Sequence, residues 1–269
     1  SGVVSRPLRN RLMRPAFSSA VPFGRAARSV LDGVFGASLA SPDEAIAGAG
    51  WTRDAPDDYC RRCGDAVGVG ELTPRGCATC RETGGFADRV VRLGPYAGPL
   101  QHWVRALKYP PHWKEMAWRL GAELADAILE LDVIDGHPVW IVPMPTDRVR
   151  RFHRGIDHSA EIARAVAQRL HAPCRFLLRD AGGVPQVNRS PTERRRAGGK
   201  QITLREPFLP FRRPLNLDRN VVLVLVDDVR TTGATLRRAR RRLEGLQPAM
   251  VVGAVLAVSD AAARRIRTS

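Results

Sequence analysis

The chain has 269 residues, 44% of them apolar and 26% charged, with 43 basic against 27 acidic side chains and a formal net charge of +16. These values exclude disorder, collagen and coiled coil, and the length suits one domain of roughly 200 residues with a small appendage. The charge favours an anionic partner, whether phosphate-bearing metabolite, nucleic acid or membrane surface, although Lys108, Lys114 and Lys200 are the only lysines among the 43 basic residues, so arginine-rich coding accounts for part of the excess.

Residues 1–58 are rich in Ala, Gly, Ser, Pro and Arg with weak periodicity, apart from a short helix predicted over Ala26 to Phe35, and read as a loosely ordered basic leader. Arg6, Arg9, Arg11 and Arg14 precede Ala20 to Phe23, but the apolar core of about 7 residues and the small-residue cleavage site of a signal peptide do not follow. The longest apolar run, Val221 to Val226, falls far short of the roughly 18 to 20 residues that a membrane span needs. The sequence therefore reads as that of a cytoplasmic protein.

Residues 59–86 hold four of the five cysteines as Cys60-x2-Cys63 and Cys77-x2-Cys80, 13 residues apart, among glycines that leave the segment no apolar core of its own. Each pair places two thiolates on one tight turn, and the intervening chain returns the second pair to complete a tetrahedron. In a cytoplasmic chain this spacing predicts a structural zinc site rather than disulfides, with redox or iron–sulfur chemistry as the alternative. Cys174 stands alone beside an apolar strand and reads as a small buried hydrophobe.

From Val90 the pattern predicts a strand to Tyr96, a helix from Pro99 to Lys108, and a helix from Trp113 to Leu131 with Met116, Leu120, Leu124, Ile128 and Leu131 on one face. Trp103, Trp113, Trp118 and His102 are expected to pack the cysteine module onto the main domain. A strand Val139 to Val142, a helix Ile156 to Leu170 and a strand Arg175 to Leu178 form one βαβ unit; a basic aperiodic segment, Ala181 to Lys200, follows. The strand Val221 to Val226, the helix Gly233 to Leu243 and the strand Val251 to Val258 form a second. Apolar strands without alternation, separated by helices, predict an α/β fold with a parallel sheet covered on both faces. Ligands bind at the carboxyl ends of such strands, which singles out the loops Pro143 to Arg154 and Asp227 to Ala234.

The second loop is the sharper signal. A buried strand runs into Asp227 and Asp228, then into Thr231-Thr-Gly-Ala-Thr235, which opens a helix. Two carboxylates can accept hydrogen bonds from vicinal ribose hydroxyls, while the N–H groups and hydroxyls of the turn can wrap a phosphate at the positive end of the helix. Neither a dinucleotide fingerprint nor a Walker loop is present.

This segment resembles the phosphoribosyl diphosphate (PRPP) loop of type I phosphoribosyltransferases. The series of paired cysteines, Tyr96 through Lys108-Tyr109, Val142-Pro-Met-Pro145, Arg151 to Arg154-Gly155, Pro185-Gln186 and Asp227 to Thr235 is similar to the ComF family of competence-associated proteins over residues 59–258. The resemblance implies a zinc module at 59–86, a phosphoribosyltransferase-like domain at 90–259 and a basic tail at 260–269. It implies ribose contacts from Asp227 and Asp228, phosphate contacts from Thr231, Thr232, Gly233, Ala234 and Thr235, and Mg2+ arriving with the diphosphate. Arg151 and Arg154 are its diphosphate counter-charges, a solvated basic loop being the other reading. The chain departs from the family at Arg154-Gly-Ile-Asp-His158, where Arg-Gly-Phe-Asn-Gln is usual, and at Arg194-Arg-Arg-Ala-Gly-Gly.

Two functions follow. One is an accessory role in uptake and processing of single-stranded DNA during natural transformation, with PRPP or another phosphate-bearing ligand and a helicase-type partner. The other is an active, Mg2+-dependent transferase of nucleotide metabolism. Purine phosphoribosyltransferases carry a carboxylate where this chain has Thr231, whose hydroxyl is too weak a base for proton handling, which disfavours purine salvage and favours the first function. Residues 148 to 213, with 16 basic against 5 acidic side chains, and Arg237, Arg238, Arg240, Arg241 and Arg242 supply charge for a nucleic-acid backbone, a solvated face being the other reading.

Overall fold

A computed structural model describes residues 41–68, 70–107, 113–131, 134–146, 157–181, 201–205 and 217–259. Four strands form one parallel sheet: β1 (Arg89–Pro95), β2 (Val139–Pro143), β5 (Val222–Arg230) and β6 (Met250–Val258), in the order β1-β6-β5-β2. In the middle of the sheet Val224 stands between Ile141 and Val252. The central strands read as unbroken apolar runs because both of their faces are covered.

Successive residues of β5 face opposite sides of the sheet. Val222, Val224 and Val226 point to the side occupied by α3 (Gly98–Ala106), α4 (Trp113–Leu129) and α5 (His158–Arg169). Leu223 and Leu225 point to the side that holds α6 (Ala234–Glu244) and the four cysteines. The α/β architecture predicted from the strand pattern is thus present, with helices on both faces.

α5 is capped by Asp157, whose carboxylate accepts a 3.2 Å bond from the Ala160 N–H. It packs so closely on α4 that a Cβ at Gly121 would lie 2.6 Å from the Ala165 Cβ and 3.0 Å from the Ile162 carbonyl oxygen. Gly121→Val is therefore expected to force the two helices apart and to destabilise the fold by about 1–3 kcal/mol, read as a lower urea midpoint; an unchanged midpoint would show that the pair repacks without cost.

The structure departs from the sequence expectations in three places. Residues 41–58, which composition assigns to the leader, contain α1 (Pro42–Gly48), closed by a reciprocal Ser41/Glu44 capping box. Ile46 is buried, Trp51 meets Trp103 edge-on at 5.3 Å, and the Asp54 N–H donates to the Leu93 carbonyl at 2.8 Å. The return strand of the first βαβ unit shrinks to a single parallel bridge, Ile141 to Cys174. Beyond it the chain leaves the sheet, and β3 (Leu178–Asp180) pairs antiparallel with β4 (Ile202–Leu204), burying Leu178 and Ile202 in the core that α6 shares. Finally, the tryptophans do not hold the cysteine module. Trp103 lies in the core on the far side of the sheet, Trp113 stands edge-on to His158 at 6.2 Å, and the Trp118 Nε1–H donates to Glu161 at 3.2 Å. The predicted helix at Ala26 to Phe35 and the tail 260–269 lie outside the described residues.

Candidate functional site

The cysteine module is two tight turns face to face. In the first, the Cys63 and Gly64 N–H groups both return to the Cys60 carbonyl, at 3.2 and 2.6 Å, and Gly64 turns the chain with a φ of 77°. In the second, Cys77 caps the short helix α2 (Ala78–Thr83) and Cys80 sits in its first turn. Gly76 precedes it because a Cβ there would lie 2.8 Å from the Cys80 Cβ.

All four sulfurs lie within 4.8 Å of one another; Cys60 and Cys80 are 3.7 Å apart, and Cys63 and Cys77 3.6 Å. A disulfide needs about 2.05 Å, whereas a tetrahedron of about 2.3 Å metal–sulfur bonds has edges of about 3.8 Å. The sulfurs therefore fit a tetrahedral four-thiolate site, consistent with structural zinc. The backbone helps, since the Cys77 N–H points at the Cys60 sulfur (3.3 Å) and the Asp65 N–H at the Cys63 sulfur (3.4 Å). Hydrogen bonds from Cys63 and Cys80 hold the Cys60 thiol far below the usual range. Hydrogen bonding to Cys60, with burial, pushes the Cys63 and Cys80 thiols up.

The second candidate lies at the carboxyl end of the sheet. From β2 the chain turns outward, to Cys174; from β5 it turns the other way, to β6. The crevice between β2 and β5 is therefore the switch point at which open α/β sheets bind ligands. β2 ends at Pro143, opposite Val226, whereas β5 continues to Arg230 paired only with β6. Asp227 and Asp228 stand on this overhanging end.

Asp227 Oδ1 accepts from the Ser159 hydroxyl (3.1 Å) and from the Asp228 N–H (3.0 Å), and Asp228 Oδ1 accepts from the Val229 N–H (2.7 Å). Thr146 donates to Asp157 at 2.8 Å, tying the end of the β2 loop to the cap of α5. Thr231 and Thr232 are exposed, Ala234 and Thr235 half-buried and Gly233 buried. Gly233 is the N-cap of α6 with a φ of 69° and brings no side chain to the first turn. Asp227 and Asp228 thus stand on the end of β5, and Thr231 to Thr235 carry the chain from it into the N-terminus of α6, a helix end being a place where an anion can bind.

Arg151 and Arg154, with Lys108-Tyr109, His153 and Pro185-Gln186, lie outside the described residues. His158 is buried against Trp113. Several arginines of α6 have partners within the protein: Arg237 lies 4.8 Å over the Phe86 ring, Arg240 pairs with Asp88 and Glu244 at 2.7 and 3.0 Å, and the exposed Arg242 donates to the Ile202 carbonyl at 3.1 Å. A cavity of about 720 Å³ beside α1 and α4 is walled by Arg53, Arg119, Glu123 and Glu130, whose charges pair with each other.

Sequence reasoning did not find Ser159, Phe86, or the two buried arginines Arg92 and Arg230, because their roles depend on contacts across the fold. Among the described residues no helix is long and apolar enough to cross a membrane. Compared with models of known protein families and with curated proteins, the chain matches none.

Proposed function

We propose that the Asp227–Thr235 loop binds the ribose 5-phosphate portion of PRPP or of a nucleotide, in a ComF-like protein of phosphoribosyltransferase fold whose four cysteines hold structural zinc. The observation that carries this reading is the placement of two adjacent carboxylates and a Thr-Thr-Gly helix start at the switch point of a parallel sheet. Asp227 and Asp228 receive the ribose hydroxyls. The Ser159 hydroxyl keeps one Asp227 oxygen oriented. The N–H groups at the start of α6, with the Thr231, Thr232 and Thr235 hydroxyls, receive the phosphate. Magnesium enters with the diphosphate as part of the ligand.

Thr231 gives the loop no carboxylate for base chemistry, which favours binding over purine transfer. The role in single-stranded DNA uptake and processing rests on the sequence resemblance, and the pairing of Arg240 with Asp88 and Glu244 neutralises part of the charge that the arginine count of α6 would offer to DNA.

Thermal unfolding with and without PRPP and Mg2+, beside an Asp228→Asn variant, tests the pocket. A ligand at 100 times its dissociation constant contributes about 2.7 kcal/mol, or roughly 5–10 °C for a domain of this size. The wild type is expected to shift by that amount and the variant not to shift. No shift in either would end the reading, and release of diphosphate on addition of bases or amines would convert it from binder to transferase.

A further inference from the structure

The cysteine module is built into the sheet, and two buried arginines reach it from the strands. Arg92 of β1 is 2% exposed; it pairs with Asp54 at 2.7 Å, donates to the Gly64 carbonyl at 2.7 Å and lies 5.1 Å from the centre of the Tyr59 ring. Arg230, the last residue of β5, is 3% exposed and pairs with Asp65. Its other terminal nitrogen donates to the Thr231 carbonyl at 3.3 Å, and its guanidinium lies 5.2 Å from the Phe86 ring. One side chain thus joins the residue two positions after Cys63 to the first peptide of the Thr231–Thr235 turn.

Both module residues in this contact are fixed by the cysteine turns. Asp65 is held at both ends of its peptide unit, the N–H against the Cys63 sulfur at 3.4 Å and the carbonyl accepting from the Cys60 N–H at 2.9 Å. Phe86 is anchored by its N–H to the Arg62 carbonyl, between the first two cysteines, at 3.0 Å. Its ring lies between the guanidiniums of Arg230 and Arg237, which flank the loop. It also fills the space beside Gly233, where a Cβ would come within 2.6 to 2.8 Å of the ring carbons. The turn therefore touches the module at its first peptide, at its glycine and at the first turn of α6.

We propose that Asp65 and Phe86 are positioning residues for the Thr231–Thr235 loop, so that the loop's anion affinity is set by the integrity of the four-cysteine cluster. Binding of PRPP at this loop rests on the function proposed above; the mechanical coupling does not. With Asp65 in place, Arg230 is neutralised through one terminal nitrogen and its other terminal nitrogen is aimed at the Thr231 carbonyl. Without it, a buried guanidinium must seek water or another acceptor, and the peptide it holds is released.

The test uses full-length, metal-loaded protein and the variants Asp65→Asn and Phe86→Leu, with three readouts: bound metal, amide hydrogen exchange without ligand, and PRPP–Mg2+ affinity by calorimetry. Each variant is expected to keep its metal, to exchange at least tenfold faster at residues 231–236 while β2 and α5 keep wild-type rates, and to bind PRPP at least tenfold more weakly. Faster exchange throughout the domain would indicate general destabilisation and overturn the proposal. So would wild-type exchange and affinity in both variants, or loss of metal in both, which would show that these residues serve the cluster instead. If wild-type protein does not bind PRPP, the proposed function falls, while localised exchange in the variants still decides the coupling.

Discussion

Removing the metal with a chelator, or replacing Cys63 with serine, is expected to lower the melting temperature by about 10 °C or more, because four-thiolate sites contribute on the order of 10 kcal/mol to folding and each kcal/mol is worth roughly 2–4 °C in a domain of this size. Cys60 and Cys63 are fully buried, and the module between Tyr59 and Phe86 has little apolar surface of its own beyond those two residues. Its collapse reaches the sheet, since Arg92 would then lose the Gly64 carbonyl and Arg230 would lose Asp65. Breaking one side of a buried ion pair costs about 3–5 kcal/mol. The sign of the pH dependence follows from the thiols. A metal binds thiolates, and burial with the hydrogen bonds to Cys60 pushes the Cys63 and Cys80 thiols up, so these must lose protons to bind it. Metal uptake therefore releases protons, and affinity falls as pH falls. A chromophoric chelator should capture about one metal per chain, more readily at pH 5.5 than at 7.5. Purified protein without metal, or a melting temperature indifferent to chelation, would overturn the assignment.

The parts of the fold legible in the sequence are those whose signal is local. β5 and β6 appear as apolar runs because two-sided burial leaves no alternation to confuse, and the cysteine pairs appear because two x2 spacings are a local pattern that suits metal ligation. Residues 41–58 were obscured because Ile46, Trp51 and Asp54 are single anchors in a stretch of small residues and prolines, too few to show a period. The run from Arg175 to Leu178 has strand composition, yet composition cannot say which edge it joins; it meets β2 once and then serves β3. The arginines of α6 were legible as charge and illegible as structure, since Phe86, Asp88 and Ile202 reach them from distant positions. The link between the two candidate sites was hidden for the same reason. Asp65 and Arg230 are 165 positions apart, and neither carries a local mark of its partner.

Gly233→Ala is expected to destabilise the protein by about 3 kcal/mol and to remove any PRPP-induced thermal shift. Two costs add. A φ of 69° puts the residue in the left-handed region, where a Cβ costs about 1–2 kcal/mol. The same Cβ would come within 2.6 to 2.8 Å of the Phe86 ring, a strain of the size that overpacked cores show, about 1–3 kcal/mol. The ring has little room to retreat, being flanked by Arg230 and Arg237 and tied through its own N–H to the Arg62 carbonyl. The turn must yield instead, and its N–H groups then lose the aim that the proposed phosphate contact requires. Combining the substitution with Phe86→Leu separates the two costs: the steric part should be recovered and the left-handed part should remain, leaving a loss smaller than the sum of the two single variants by about 1–2 kcal/mol. If the double variant is no more stable than the sum of the singles, the ring does not press on the turn. If Gly233→Ala melts and binds as the wild type does, the left-handed glycine is not what shapes the loop. The expected outcome ties one backbone angle at the start of α6 to one aromatic ring in the metal module, the level at which the candidate anion site and the four cysteines meet.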